Sequence, residues 1–174
     1  MKKVITMLSV IVAAICMTSC GNTANEQTSV TDANKQVMEQ FIRIINTGDR
    51  TIGESIISPD VIFYAPTSPE PLRGFDGYIA VLDMMRGAMP DVQWKAEEFI
   101  AEGDKVMIRF TMSGTQSQPF MGMPATGKPV KVTAMNIYQL KGGKIVREHG
   151  LPDIFTMLQQ LGAIPAPAPQ QEPK

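Results

Sequence analysis

The stretch DKVMIRFTMSGTQS, residues 104–117, decides the fold. Val106, Ile108, Phe110 and Met112 occupy every second position, and Met107, Arg109, Thr111 and Ser113 alternate with them. A period of two sends the first set to one face of a strand and the second set to the other. The same period runs through Val92–Ala101, Val130–Leu140 and Lys144–Leu151. Glu102-Gly103-Asp104 and Lys141-Gly142-Gly143 are short hairpin links, and Gln118–Lys128 is a longer Pro/Gly loop. Together these segments predict a four-strand antiparallel meander.

Upstream, the period is helical. Val37, Phe41, Ile44 and Ile45 predict a helix over Asp32–Asn46, with Thr31 as its N-cap and Gly48-Asp49 as its stop. A short helix follows near Thr51–Ile57, then a strand at Val61–Ala65 and a loop punctuated by Pro66, Pro69 and Pro71. Phe75, Tyr78, Ile79, Leu82 and Met85 form one stripe of a third helix, Phe75–Ala88. After the meander, Ile154–Leu161 reads as a terminal helix stopped by Gly162. Helices segregated from strands imply an α+β fold, with a curved antiparallel sheet packed against the N-terminal helices and a short C-terminal helix. A strongly curved sheet closed by helices makes a cone with an interior pocket.

The two ends read differently. Lys2 and Lys3 precede the apolar run Val4–Met17, and Thr18-Ser19 supply small residues before Cys20. That run is short for a membrane span, which takes about 20 apolar residues. Met17-Thr18-Ser19-Cys20 resembles the lipobox of bacterial lipoproteins. The resemblance implies a signal peptide at 1–19 and a lipid-bearing Cys20 that anchors the protein to a bacterial membrane, exported to the cell envelope. Cleavage as an ordinary secretory signal is the other reading. Residues 20–31 are polar without an apolar period and are expected to form a flexible tether, reaching roughly 20 Å. Residues 32–164 form the domain, and residues 165–174 (PAPAPQQEPK) a Pro-rich disordered tail.

Loss of the first 19 residues leaves 14 basic against 17 acidic residues. That balance has no basic face for nucleic acid. One histidine, with the mature chain's one cysteine committed to lipid, gives no metal-ligand cluster. Residues 122–128 (GMPATGK) spell most of a phosphate-binding loop, but they precede a strand and are followed by Pro129 instead of Ser or Thr. A hairpin loop is the simpler reading. Ten methionines remain, suited to filling core gaps or lining a pocket for a flexible apolar ligand.

Several segments carry a family resemblance. They are Ala88-Met89-Pro90-Asp91, Glu102-Gly103-Asp104-Lys105-Val106, Gly114-Thr115, Phe120-Met121-Gly122-Met123-Pro124, Thr126-Gly127-Lys128, Gly143-Lys144-Ile145-Val146, Glu148-His149 and Leu158-Gln159-Gln160-Leu161-Gly162. In this order and spacing, from Asn34 to Pro165, the chain resembles the SnoaL-like polyketide cyclases, also called ester cyclases, of the NTF2-like superfamily. The resemblance implies a cone-shaped α+β fold and an intramolecular aldol cyclisation that needs no metal and no cofactor. One aspartate then acts as general acid/base on a carbonyl substrate, and Asp153 matches it.

A carboxylate in an apolar pocket has its pKa raised toward neutrality, as proton transfer requires. Asp153 also stands directly before a helix, where it would cap the first turn with a lowered pKa instead. His149 is the second catalytic candidate, or a plain rim histidine. Tyr64, Tyr78, Arg109 and Met135 are the candidate substrate-binding residues, with Arg73 a further polar group to seek there. Arg109 equally suits an ion pair with a neighbouring strand.

The chain departs from the family pattern in several places. Tyr64 and Ala65 stand where a histidine and an aspartate often end the strand. Gln116 replaces the histidine of a Gly-Thr-His, and Gly150 a tryptophan. These departures keep a second expectation open: a non-catalytic module that binds a small apolar or carbonyl-containing ligand, or a homodimer paired through the outer sheet face.

Overall fold

The structure is a computed structural model, described here for residues 19–65 and 68–165, with side chains from Val30 onward. Residues 1–18 of the expected signal segment and the Pro-rich tail beyond Pro165 lie outside the described residues, as does the side chain of Cys20. Ten elements follow in order: α1 (Ser19–Thr47), α2 (Arg50–Ile56), β1 (Ile57–Tyr64), β2 (Leu72–Arg73), α3 (Phe75–Ala88), β3 (Gln93–Glu102), β4 (Lys105–Thr115), β5 (Pro129–Lys141), β6 (Lys144–Pro152) and α4 (Ile154–Leu161).

One six-stranded sheet runs in the order β2-β1-β6-β5-β4-β3. Strands β3 to β6 form the expected antiparallel meander. Strand β1 joins its edge parallel to β6, and β2 closes that edge as a short antiparallel partner. The parallel pair is possible because a long crossover, α3 and the meander, separates its strands. The sheet is curved and unclosed, with one extra residue in β3, one in β6 and a longer irregularity in β1 between Ile57 and Ile62, each bending its strand locally.

The concave face packs on the helices. Met38, Phe41, Ile44 and Ile45 of α1, with Tyr78 and Ile79 of α3, meet Val61, Phe63, Val106, Ile108, Phe110, Tyr138, Leu140 and Ile145 of the sheet. A second cluster fills the other end, where Met157 and Leu161 of α4 cover Met89, Val92, Met112, Phe120, Val130 and Val132. Each such side chain contributes about 1.5–3 kcal/mol when fully buried. The described elements form one α+β domain in which the helices and α4 share the inner face.

Helix α1 differs from expectation. It continues back to Ser19, through the polar stretch expected to be a tether, and Thr31 lies inside it instead of capping it. The buried face from Asn34 to Ile45 supplies the costly nucleus, and propagation over residues without proline then adds one hydrogen bond per residue. At the other end Gly162 takes φ 82°, its N–H bonding to Gln159 O at 3.0 Å and that of Ala163 to Leu158 O at 2.9 Å. This left-handed stop is the one that glycine best provides.

The β4–β5 loop is organised by Gln116, fully buried. Its amide nitrogen donates to Gln118 O at 2.9 Å and Pro124 O at 3.0 Å, while its oxygen accepts from Thr126 N at 2.9 Å. Residues 122–128 are therefore a clamped hairpin loop between two strands.

Candidate active site around Glu148

Inner-face positions of β6 are Ile145, Glu148 and Gly150, opposite Leu140, Tyr138 and Asn136 of β5. Ile145 and Glu148 are three residues apart because β6 carries an extra residue: Gln139 pairs with Arg147, but Leu140 pairs with Ile145. Strict alternation from Ile145 would turn His149 inward. The irregularity reverses the parity and puts the Glu148 carboxyl among the core aromatics instead.

Three donors converge on that carboxyl. The Tyr78 hydroxyl donates to Oε2. Asn136 Nδ2 donates to Oε1 at 2.7 Å. Tyr138, cross-strand from Glu148, also hydrogen bonds it, and its hydroxyl oxygen accepts from Asn136 Nδ2 at 3.1 Å. The aromatic wall fixes both phenols. Phe63 meets Tyr78 edge-on at 4.9 Å between centroids, and Phe41 lies 6.1 Å from Tyr78 and 5.0 Å from Tyr138.

Electrostatics follow from this enclosure. Burial pushes Glu148 up to about 7, and the hydrogen bonds from Tyr78, Asn136 and Tyr138 restrain the rise. Burial, and then the neighbouring Glu148, raise both tyrosines well above the usual phenol range, so they remain donors. A carboxyl near 7 is poised to take or give a proton at neutral pH.

The residues proposed from sequence are spread elsewhere, except Tyr78. Asp153 is exposed and caps α4: its Oδ1 accepts from Thr156 N at 2.9 Å, and this bond lowers its pKa. Its carboxylate points to the helix end, away from Glu148's surroundings. His149 and Tyr64 lie exposed on the outer sheet face, their rings stacked with centroids 4.2 Å apart and planes 4° off parallel. Arg109 pairs with Glu98 on the same face at 3.2 Å. Met135 is 51% exposed there, and Arg73 is exposed on β2. The expected constellation of Asp153 and His149 in one pocket is not formed, because the β6 irregularity turns His149 outward and the cap claims Asp153.

Sequence reading missed Glu148, Asn136 and Tyr138. The pair Glu148-His149 was visible, but the choice between its members depended on the irregularity. Among the described residues, no group of three His, Cys, Asp or Glu side chains could hold a metal ion.

The family model for SnoaL-like polyketide cyclases matches residues 35–161. The chain belongs to the SnoaL-like polyketide cyclase family. Solved structures agree in fold. IdmH from Streptomyces antibioticus, described as a candidate polyketide cyclase, is 28% identical with a TM-score of 0.65, over 74% of this chain and 98% of its own. TsrD from Streptomyces laurentii is 27% identical with a TM-score of 0.69, over 76% and 97% of the two chains. AclR from Streptomyces galilaeus, described as a candidate hydroxylase, shares the fold at 23% identity and a TM-score of 0.70, over 80% and 87%. No curated protein matches the chain.

Proposed function

We propose that the protein is a cofactor-independent acid/base catalyst, a cyclase or isomerase of a small carbonyl compound, with Glu148 as the proton-transfer group. The observation that carries this reading is the buried Glu148 carboxyl, held at about 7 and gripped by Tyr78, Tyr138 and Asn136. Ionised Glu148 removes a proton from the carbon next to a carbonyl, and the C–H electron pair moves into the enolate. In an aldol closure that carbon attacks a second carbonyl, whose oxygen takes the proton back from Glu148. The carboxylate is regenerated, and atoms and charge balance without a co-reactant. Family membership supports a cyclase- or isomerase-type role.

The proposal includes a setting at the cell envelope, through lipid on Cys20. Its support is the run of Lys2-Lys3, the apolar stretch and Met17-Thr18-Ser19-Cys20. Incorporation of an alkyne-tagged fatty acid into the wild-type chain, lost in Cys20→Ala, tests the anchor.

The catalytic reading is tested by deuterium uptake next to the carbonyl of 4-phenylbutan-2-one, followed by NMR. Wild-type protein accelerates uptake and Glu148→Gln does not. Equal rates in both would remove Glu148 from the chemistry.

A specific observation also favours pairing with a second copy. Tyr64, His149, Ile137, Met107 and Ile100 are successive cross-strand partners, one from each of five strands, on the outer face. Beside this row lie Leu151 and Met135, and Ile100, Ile137, Met135 and Leu151 are 48–68% exposed. Contiguous exposed apolar surface of this kind marks an interaction site. Light scattering is expected to give a dimer for wild type and a monomer for Ile137→Lys; a wild-type monomer at high concentration would remove this reading.

A further inference from the structure

The sheet register sets the outer face in rows. One row runs Arg73, Ile62, Arg147, Gln139, Lys105 and Glu102, a residue from each of the six strands in sheet order. It is cationic at the β2 end and anionic at the β3 end. The next row, two residues along each strand, is that of Tyr64, His149, Ile137, Met107 and Ile100.

These rows restrict how a second copy sits on this face. Aligned sheets keep their strands within about 30° of each other, so a two-fold between the faces runs across the strands or parallel to them. Across the strands, it lays each strand on its own counterpart and brings Arg73 and Arg147 against the same two cations. Parallel to the strands, it reverses the strand order. With the axis between β6 and β5, Arg73 of one copy meets Glu102 of the other, Arg147 meets Gln139, Tyr64 meets Met107 and His149 meets Ile137. The face is self-complementary in this orientation alone, as an isologous contact requires. Its extent, about 24 Å over five strands and about 27 Å along β5, gives roughly 650 Å² per copy, close to the ~800 Å² per partner of a stable interface.

The pairing covers His149, the chain's single histidine. Its ring lies flat on Tyr64, exposed in the single chain. Histidine is the side chain that ordinarily changes charge between pH 5 and 8, and a charge taken out of water needs a partner. None stands beside it. On β1 its neighbours are Tyr64 and Ile62, with Asp60 two residues beyond; on β5 they are Ile137, Gln139 and Met135. On β6 itself Arg147 shares the face and has the same sign. Glu98 and Glu102 lie three strands away on β3, and the Glu148 carboxyl is on the inner face, where it holds its proton below about 7.

We infer that two copies pair through their outer faces about a two-fold parallel to the strands, and that acidification separates them by charging His149 against Ile137 of the second copy. This inference rests on the pairing reading above and adds its orientation and its control.

Sedimentation equilibrium at pH 8 and pH 5 tests it. The wild-type dissociation constant is expected to rise about tenfold or more at pH 5. Unfolding does not account for such a rise, because the Glu148 proton favours the native state on the acid side. His149→Phe keeps a ring on Tyr64 and is expected to pair equally at both pH values, as is His149→Gln; Glu148→Gln is expected to keep the wild-type change. Arg73→Glu should weaken the pair at pH 8, and adding Glu102→Arg should restore it. A wild-type dimer indifferent to pH, a pH effect that survives both His149 variants, or charge reversals without effect would overturn the inference and leave pairing itself standing. A wild-type monomer at both pH values would remove pairing and switch together.

Discussion

The hydroxyl of Tyr78, on α3, donates to the carboxyl of Glu148, on β6, and joins the helical layer to the centre of the sheet inside the core. Both partners are buried, at 5% and 7% exposure, so neither can turn to water for its hydrogen bonds. This bond opposes the effect of burial on Glu148, and its removal has a predictable sign.

Tyr78→Phe deletes the first of the three donors that restrain the pKa of Glu148. The carboxyl is expected to titrate above 7 in the variant, and carbonyl-adjacent deuterium uptake to need a higher pH. The buried Oε2 loses its donor, at a cost of about 1–3 kcal/mol. Carboxyl ¹³C titration and urea denaturation measure the two effects separately.

Glu148→Gln changes the pH dependence of stability. In wild type the folded-state value, about 7, lies above the ordinary 4.5, so the native state keeps a proton that the unfolded chain releases between these values. Wild-type stability therefore falls as pH rises across that window and is level beyond it. The full span corresponds to about 3 kcal/mol. The variant is expected to lack this slope, which denaturation at pH 5 and pH 8 would reveal.

Asp153→Ala should act on α4 alone. The cap on Thr156 N is lost, and the melting temperature is expected to drop while deuterium uptake stays at the wild-type rate. His149→Ala, on the outer face, is expected to retain uptake as well. A large loss of rate in either variant would return catalysis to the residues first suggested by the sequence.

Gln116→Ala removes the clamp of the β4–β5 loop and strands Thr126 N and the Gln118 and Pro124 carbonyls. A loss of about 2–3 kcal/mol is expected, with fast amide hydrogen exchange confined to residues 116–128. Uniform exchange across the domain would contradict a local clamp.

The fold was legible because its elements carry strong periods. Helices Phe75–Ala88 and Ile154–Leu161 and the four meander strands follow directly from apolar spacing. The two-residue β2 has no period to read, and the polar start of α1 offers no apolar face. The site was legible only in part. Tyr78 stands on the α3 stripe, but the inward turn of Glu148 depends on one extra residue in β6, and inserting a residue leaves no trace in local composition. Asp153 was read with both its meanings, catalytic and capping, and the carboxylate's hydrogen bond to Thr156 answers where it points.

The most direct test of Glu148 as the proton-transfer group combines two titrations of the wild-type protein: the Glu148 carboxyl followed by ¹³C NMR, and the rate of deuterium uptake by 4-phenylbutan-2-one followed across pH 5 to 9. The two midpoints are expected to coincide near 7, with the rate rising as the carboxyl ionises. A Glu148 midpoint in the ordinary carboxyl range, or a rate that does not follow its ionisation, would contradict the account.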